Sequence, residues 1–279
     1  MPDKLNLESI AKTLSVNIDE LTVVGEGMNG LILTDGSGLA FKFPKSEVAR
    51  KSLERETKII SLIRKHISFP IPQFKDIFLD EELGKAYVSF TLINGVKLTN
   101  DIYNKHQHTL LKQIKKLLSE IHSMPVIDLF YGNVLNIEEM YFEIQDLLYP
   151  FLSEDKKLLI TTRFEKQLSM AAEGVSETVI HGDLGGANIL VDERTGEITG
   201  VIDWAELTIG NSAYDYSSLT CYASVPKLKE DLLIDKPNLI NIFKQAEFIQ
   251  FTFPILEALY GAKTGNKIAL YEGLSGIIG

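Results

Sequence analysis

The run His181-Gly182-Asp183-Leu184-Gly185-Gly186-Ala187-Asn188 is followed, fifteen residues past Asn188, by Asp203 in Ile202-Asp203-Trp204. Two acids and an amide therefore stand between apolar, strand-like stretches. Asp183 and Asn188 lie five apart on what reads as a tight loop, and Asp203 closes the β-type run 198–202. Phosphoryl transfer calls for such a set: one carboxylate to orient a hydroxyl, and an oxygen pair to hold Mg2+ on the phosphates. A zinc-type set is not in evidence, because the five histidines have no matching cysteines. His106 and His108 are two apart, hence on different sides of a helix and in solvent, and His122 reads as a helix cap or packing group.

A second constellation lies near the N-terminus. Gly25-Glu26-Gly27-Met28-Asn29-Gly30 is a G-x-G-x-x-G loop, and the strand-like Leu31-Ile32-Leu33-Thr34 follows it. A dinucleotide fold demands a helix there, so a loop between two antiparallel strands, with backbone amides over phosphates, is the better match. A glycine-rich hairpin without a ligand is the other reading. In Leu39-Ala40-Phe41-Lys42 the ammonium must leave its apolar strand for something polar. Lys42 is either a phosphate-binding lysine paired with a glutamate on the next helix or a snorkelling edge residue. Glu56 is the preferred partner because it borders the apolar side set by Leu53, Ile59 and Ile60; Glu54 is the alternative.

These residues need elements to hold them. Periodicity predicts helices over residues 5–16, 46–65, 108–122, 136–149, 155–172 and 239–260, and β runs at 21–24, 31–34, 39–43, 73–79, 85–92, 178–180, 189–191 and 198–202. Ser46 is placed to cap its helix, with Glu47 in the first turn, and Asp35-Gly36 is a hairpin signal. The chain is thus β-rich up to about residue 93 and mainly helical afterwards. The expected division is 1–93 and 94–279.

In order and spacing, the glycine loop, Ala40-x-Lys42, Glu56, His181-Gly182-Asp183 to Asn188, and Ile202-Asp203-Trp204 resemble a kinase-like fold. His-Gly-Asp with Asp-Trp looks like the aminoglycoside phosphotransferase family of small-molecule kinases. Phe41-Lys42-Phe43-Pro44 is similar to the 2''-aminoglycoside branch, and Ile202-Asp203-Trp204-Ala205-Glu206 to macrolide kinases. The resemblance spans about residues 20–220. It implies an α+β, two-lobed protein-kinase-like fold with a small β-rich N-lobe and a larger, mainly helical C-lobe. It implies Asp183 as the catalytic aspartate, Asn188 and Asp203 as Mg2+ ligands, and His181 as a structural residue. Asp215 would hold the catalytic loop. Gly25, Gly27, Gly30, Lys42 and Glu56 would serve the nucleotide phosphates. Thr91 and Ile93, on a hinge after the bulky Phe90, would meet the purine of ATP or GTP through their backbones.

Composition bounds the rest. A net charge of −10 argues against nucleic acid and leaves a cationic small-molecule acceptor open; the other reading is that acidic excess simply keeps a cytosolic protein in solution. No apolar run approaches the roughly 18 residues of a membrane span. The single cysteine, Cys221, and an N-terminus without a secretory pattern fit a reducing cytoplasm. A monomer is expected. Residues 128–155 carry seven acids and neither Lys nor Arg. They could concentrate a polycationic aminosugar, or they could be a solvated helix face. Phe243, Phe248, Phe251, Phe253 and Tyr260 could line a macrolide pocket, although aromatics at helical spacing are more often core. The expected activity is transfer of the γ-phosphate to an aminoglycoside hydroxyl. The rivals are the same chemistry on a macrolide, amino alcohol or sugar, and a non-catalytic nucleotide-binding protein.

Overall fold

Local chemistry sets the element boundaries. A computed structural model describes residues 6–27, 29–79, 82, 84–131, 136–171 and 177–277. Helix α1 (Leu7–Leu14) starts where the Asn6 side chain accepts from the Glu8 N–H, and stops at Ser15 in the left-handed conformation. Strands β1 (Thr22–Glu26), β2 (Gly30–Thr34) and β3 (Leu39–Pro44) then run antiparallel. Helix α2 (Glu47–Ile63) is capped by Ser46, which accepts from the Ala49 N–H. Strands β4 (Phe74–Phe78) and β5 (Tyr87–Thr91) complete a five-stranded sheet in the order β1-β2-β3-β5-β4.

Side-chain alternation sorts this sheet into two faces. Leu31, Leu33, Phe41 and Phe43 pack with Ile10 of α1. Ala40, Val88 and Phe90 pack with Leu53 of α2 on the other side, joined by Ile32. Lys42 has the parity of Ala40, so its strand turns it toward α2.

Strand β6 (Val96–Lys97), α3 (Asn100–Lys105) and α4 (Gln107–His122) come next, followed by α5 (Ile137–Leu147), α6 (Glu154–Ala171) and β7 (Glu177–Ile180). The remainder is β8 (Ile189–Val191), β9 (Ile198–Val201), β10 (Thr208–Asn211), α7 (Ala213–Thr220), α8 (Lys227–Asp235), α9 (Ile240–Thr264) and α10 (Lys267–Gly276). The arrangement is α+β, with a β-sheet N-terminal region and a mostly helical C-terminal region.

Packing groups the chain into two compact units, each assembled from two separate stretches of sequence. One holds the residues up to Met124 together with Gly186–Leu207; the other holds Pro125–Gly185 and Thr208–Gly279. The reason is pairing across long sequence separations. Val96 and Lys97 pair with Val191 and Leu190, and the Gln113 amide of α4 accepts from Ile198 N–H (2.9 Å) and donates to Gly196 O (2.9 Å). In the second unit β7 pairs with β10, and Ile144, Ile160, Phe164, Phe248, Phe251 and Ile255 form one core.

Helix α9 is apolar on several sides because α7 and α10 both pack on it. Gly261 and Gly273 permit the close approach of α10, since a Cβ at either would strike backbone of the other helix. Phe243, Phe248 and Phe251 are therefore core, whereas Phe253 and Tyr260 are exposed. The sequence pattern does not single out β6, β10, α3 or α7; β6 has two residues and α3 six, too few to show a period. Leu5 and Ala172, at the ends of two expected helices, lie outside the described residues. Among the described residues no helix is long and apolar enough to cross a membrane.

Candidate active site

The first unit contains a cavity of about 510 Å³. Its walls include Gly25, Gly27, Asn29 and Gly30 of the β1–β2 hairpin, Lys42, Glu56, Phe74, Phe90, Leu92, Ile93, Asn188 and Asp203. The hairpin closes with Gly27 N–H donating to Gly30 O at 3.0 Å. A Cβ on Gly27 would meet nothing within 4 Å, while one on Gly30 would press on Phe43 O at 3.1 Å. A side chain at Gly30 would thus crowd the β3 backbone, and at Gly27 glycine leaves the backbone open to a ligand. Lys45, which the sequence reading passed over, pins this hairpin by donating to Glu26 (2.7 Å) and to Gly27 O (2.8 Å). Met28 lies outside the described residues.

Lys42 Nζ stands 2.9 Å from Glu56 Oε2 and 3.3 Å from Asp203 Oδ1. Glu56 is 2% exposed. Burial works against the Lys42 charge, but the two carboxylates outweigh it and hold its pKa above the ordinary lysine value. Glu54 instead pairs with Lys58 one turn along the same helix. The other Glu56 oxygen accepts from Trp204 N–H at 3.1 Å, so one buried carboxylate ties the strand lysine to the residue after Asp203.

Asp203 itself has φ 63° and ψ 63°, the left-handed region, which costs most non-glycine residues about 1–2 kcal/mol and an aspartate less. Such a conformation persists only where its surroundings impose it. Ile202 N–H donates to Asn188 O at 2.9 Å on one side, and the Trp204 ring N–H donates to Val201 O at 3.0 Å on the other. Asn188 and Asp203 both present oxygen and both line the cavity. Among the described residues no group of three His, Cys, Asp or Glu could hold a metal. Two oxygen ligands suit Mg2+, which completes its shell with phosphate and water.

At the other wall, Phe74 and Phe90 meet edge to face at 5.9 Å. Leu92 N–H is taken by Gly38 O at 3.0 Å. Alternation along the strand turns the backbone groups of Thr91 away from β3. Thr91 is exposed and is not among the lining residues; Leu92, Ile93, Asn94 and Lys97 are.

The second unit carries Asp183. His181 and Asp215 are fully buried. Asp215, in the first turn of α7, accepts from His181 N–H (3.1 Å) and Gly182 N–H (3.0 Å). Gly182 has φ 84°, the left-handed region that glycine enters without penalty. The turn is completed by Asp183 N–H donating to His181 Nδ1 at 3.3 Å and by Gly185 N–H donating to Asp183 O at 2.9 Å. Asp183 is exposed at its end. Burial pushes the Cys221 thiol up, with Asp183 adding to the effect, and carries Tyr214 to about 12.

A family model for the phosphotransferase enzyme family matches residues 24–235, about three-quarters of the chain. The chain belongs to the phosphotransferase enzyme family, APH. Viomycin phosphotransferase of Streptomyces vinaceus is 29% identical over 143 residues, which are 50% of this chain and 48% of that protein. The chain thus matches about half the length of this curated relative. Among solved structures, the GDP complex of aminoglycoside 2'-phosphotransferase-IIIa superposes with a TM-score of 0.86 at 21% identity, covering 98% of this chain and 96% of that one. The macrolide 2'-phosphotransferase MphH from Brachybacterium faecium gives 0.71 at 14% identity, covering 93% and 92%. At these identities the superpositions establish a shared fold.

The acidic segment has local explanations within this APH fold. Glu138 and Glu139 occupy the first turn of α5, and Glu154 and Asp155 that of α6, where the helix dipole favours acids. Glu143 pairs with Lys263 at 2.5 Å. His106 is not free in solvent, since its Nε2 lies 2.8 Å from Glu193 O.

Proposed function

We propose that this chain is a Mg2+-dependent small-molecule kinase that moves the γ-phosphate of ATP or GTP to a hydroxyl of a cationic acceptor, an aminoglycoside-type antibiotic. The observation that carries this reading is the Lys42 ammonium between Glu56 and Asp203 at the wall of a cavity roofed by the glycine hairpin. That is the charge arrangement that phosphate oxygens and a divalent ion require. In this reading the backbone at Gly25, Gly27 and Gly30 covers the phosphates and Lys42 neutralises the α- and β-phosphates. The backbone of Ile93, which lines the cavity, meets the purine; Thr91 lies outside the lining and does not. Asn188 and Asp203 hold the Mg2+, which offsets charge on the phosphate oxygens when bound.

Asp183 accepts the acceptor hydroxyl proton while the oxygen forms a bond to the γ-phosphorus and the bond to the β–γ bridging oxygen breaks. The turn that Asp215 ties through His181 N–H and Gly182 N–H supports this role, because an orienting carboxylate must be positioned. His181, whose Nδ1 accepts from the loop backbone, is a structural residue. The cationic acceptor is supported by the net charge of −10 and by relatives named for viomycin and aminoglycosides. We further infer a cytoplasmic monomer.

The test is a nucleotide-consumption screen with aminoglycosides, viomycin, macrolides and amino alcohols, each with ATP and with GTP. Turnover is expected with at least one polycationic antibiotic, requires Mg2+, and disappears in Asp183→Asn. Turnover only with macrolides or amino alcohols overturns the acceptor assignment. Nucleotide binding without turnover on any acceptor overturns the kinase.

A further inference from the structure

The segment after Asp203 is held from α2 by a residue outside the cavity. Arg55 directs its guanidinium to two backbone carbonyls, those of Ala205 and Leu207, the latter at 2.6 Å. These carbonyls belong to the short helical turn Trp204–Glu206 and its end. An arginine fork is planar and rigid, so two carbonyls bound to it are fixed in relation to each other and to the helix that carries it. Burial disfavours this charge, and nearby Glu206 partly restores it. The cation is therefore kept at some cost in a place where it touches backbone.

We propose that Arg55 is a positioning residue: by holding the Ala205 and Leu207 carbonyls, it keeps Asp203 in its left-handed conformation with the carboxylate presented to Mg2+. The inference rests on the reading of Asp203 as a Mg2+ ligand. Asp203 departs from ordinary backbone conformation, and its neighbours must impose that. Upstream the restraint is the bond from Ile202 N–H to Asn188 O. Downstream there are two anchors on adjacent α2 residues, Glu56 on Trp204 N–H and Arg55 on the next carbonyls. Glu56 also holds Lys42, so its removal disturbs the phosphate site directly. Arg55 is not among the cavity-lining residues. Its removal loosens Asp203 while leaving Lys42, Glu56 and the glycine hairpin in place.

The experiment is calorimetric titration of ADP and GDP into the full chain, with and without Mg2+, alongside thermal melting. Arg55→Ala is expected to bind nucleotide without Mg2+ within about two-fold of the parent chain. The gain in affinity that Mg2+ brings should shrink at least five-fold, and the half-saturating Mg2+ concentration should rise correspondingly. Arg55→Lys, which offers a single ammonium in place of the fork, should recover part of that gain. Lys58→Ala, on the exposed side of the same helix, should leave it unchanged.

A merely structural role predicts equal losses with and without Mg2+, in step with the melting temperature; that result, or an undiminished Mg2+ gain in both Arg55 variants, overturns the inference. Asp203→Asn separates the two levels. Loss of the Mg2+ gain there, with Arg55→Ala unaffected, refutes the role of Arg55 alone. Retention of the gain in Asp203→Asn, or indifference of the parent chain to Mg2+, refutes the assignment of Asp203 as well.

Discussion

Replacing Glu56 distinguishes its two duties. Glu56→Gln preserves an oxygen for Trp204 N–H but removes the charge opposite Lys42. Breaking a buried ion pair typically costs about 3–5 kcal/mol. Lys42 is 18% exposed and retains Asp203 at 3.3 Å, so the cost falls below that range, to about 2 kcal/mol after allowing for solvent. Glu56→Ala also strands the buried Trp204 N–H, adding about 1–3 kcal/mol for an unsatisfied donor. For a chain of this size each kcal/mol lowers Tm by roughly 2–4 °C. The expected falls are about 4–8 °C for the glutamine and roughly twice that for the alanine.

The decisive measurement is a double-mutant cycle with Lys42→Met, read by denaturant unfolding and by nucleotide affinity. Lys42→Met leaves Glu56 buried without its cation, and the second change to Gln relieves that, so the double variant should recover about 2 kcal/mol relative to the sum of the singles. Additivity within about 0.5 kcal/mol, the behaviour of independent sites, refutes the argument that these charges hold the site together.

Three further outcomes follow from the same geometry. Because the Lys42 pKa is raised above its unfolded value of 10.5, its stabilisation is fully present below that value and is lost as pH rises through the folded pKa. The stability difference between the parent chain and Glu56→Gln should therefore be level through neutral and mildly alkaline pH and shrink only above about pH 10.5, as followed by unfolding at fixed temperature. Gly182→Ala, which forces a side chain on φ 84°, should cost about 1–2 kcal/mol in stability and lower kcat more than it changes nucleotide KM. Asp215→Asn leaves the His181 and Gly182 N–H groups with one acceptor oxygen and an amide group that repels them. It should reduce kcat at least ten-fold while nucleotide affinity, measured by calorimetry, stays within about two-fold; loss of nucleotide binding in step with kcat contradicts a role confined to the Asp183 turn.

Much of this protein is determined by residues near one another in the chain. Ser46 and Glu47 start α2 because an N-cap and an acidic first turn are local events. Glu56 rather than Glu54 faces Lys42 because helical phase puts it beside Leu53, Ile59 and Ile60, while Glu54 is left to Lys58. Strand parity alone turns Lys42 toward that helix. What only the tertiary structure decided are the contacts made across many residues with backbone groups. Arg55 reaching the carbonyls of Ala205 and Leu207, and Leu92 spending its N–H on Gly38, leave no trace in residue type or spacing, since every residue offers the same carbonyl and amide; Asp215 is legible as the holder of the loop, but not the two N–H groups it takes. The left-handed Asp203 belongs to the same class: aspartate tolerates that conformation better than most residues, but the contacts of Asn188, Glu56 and Arg55 with its neighbours come from distant parts of the chain.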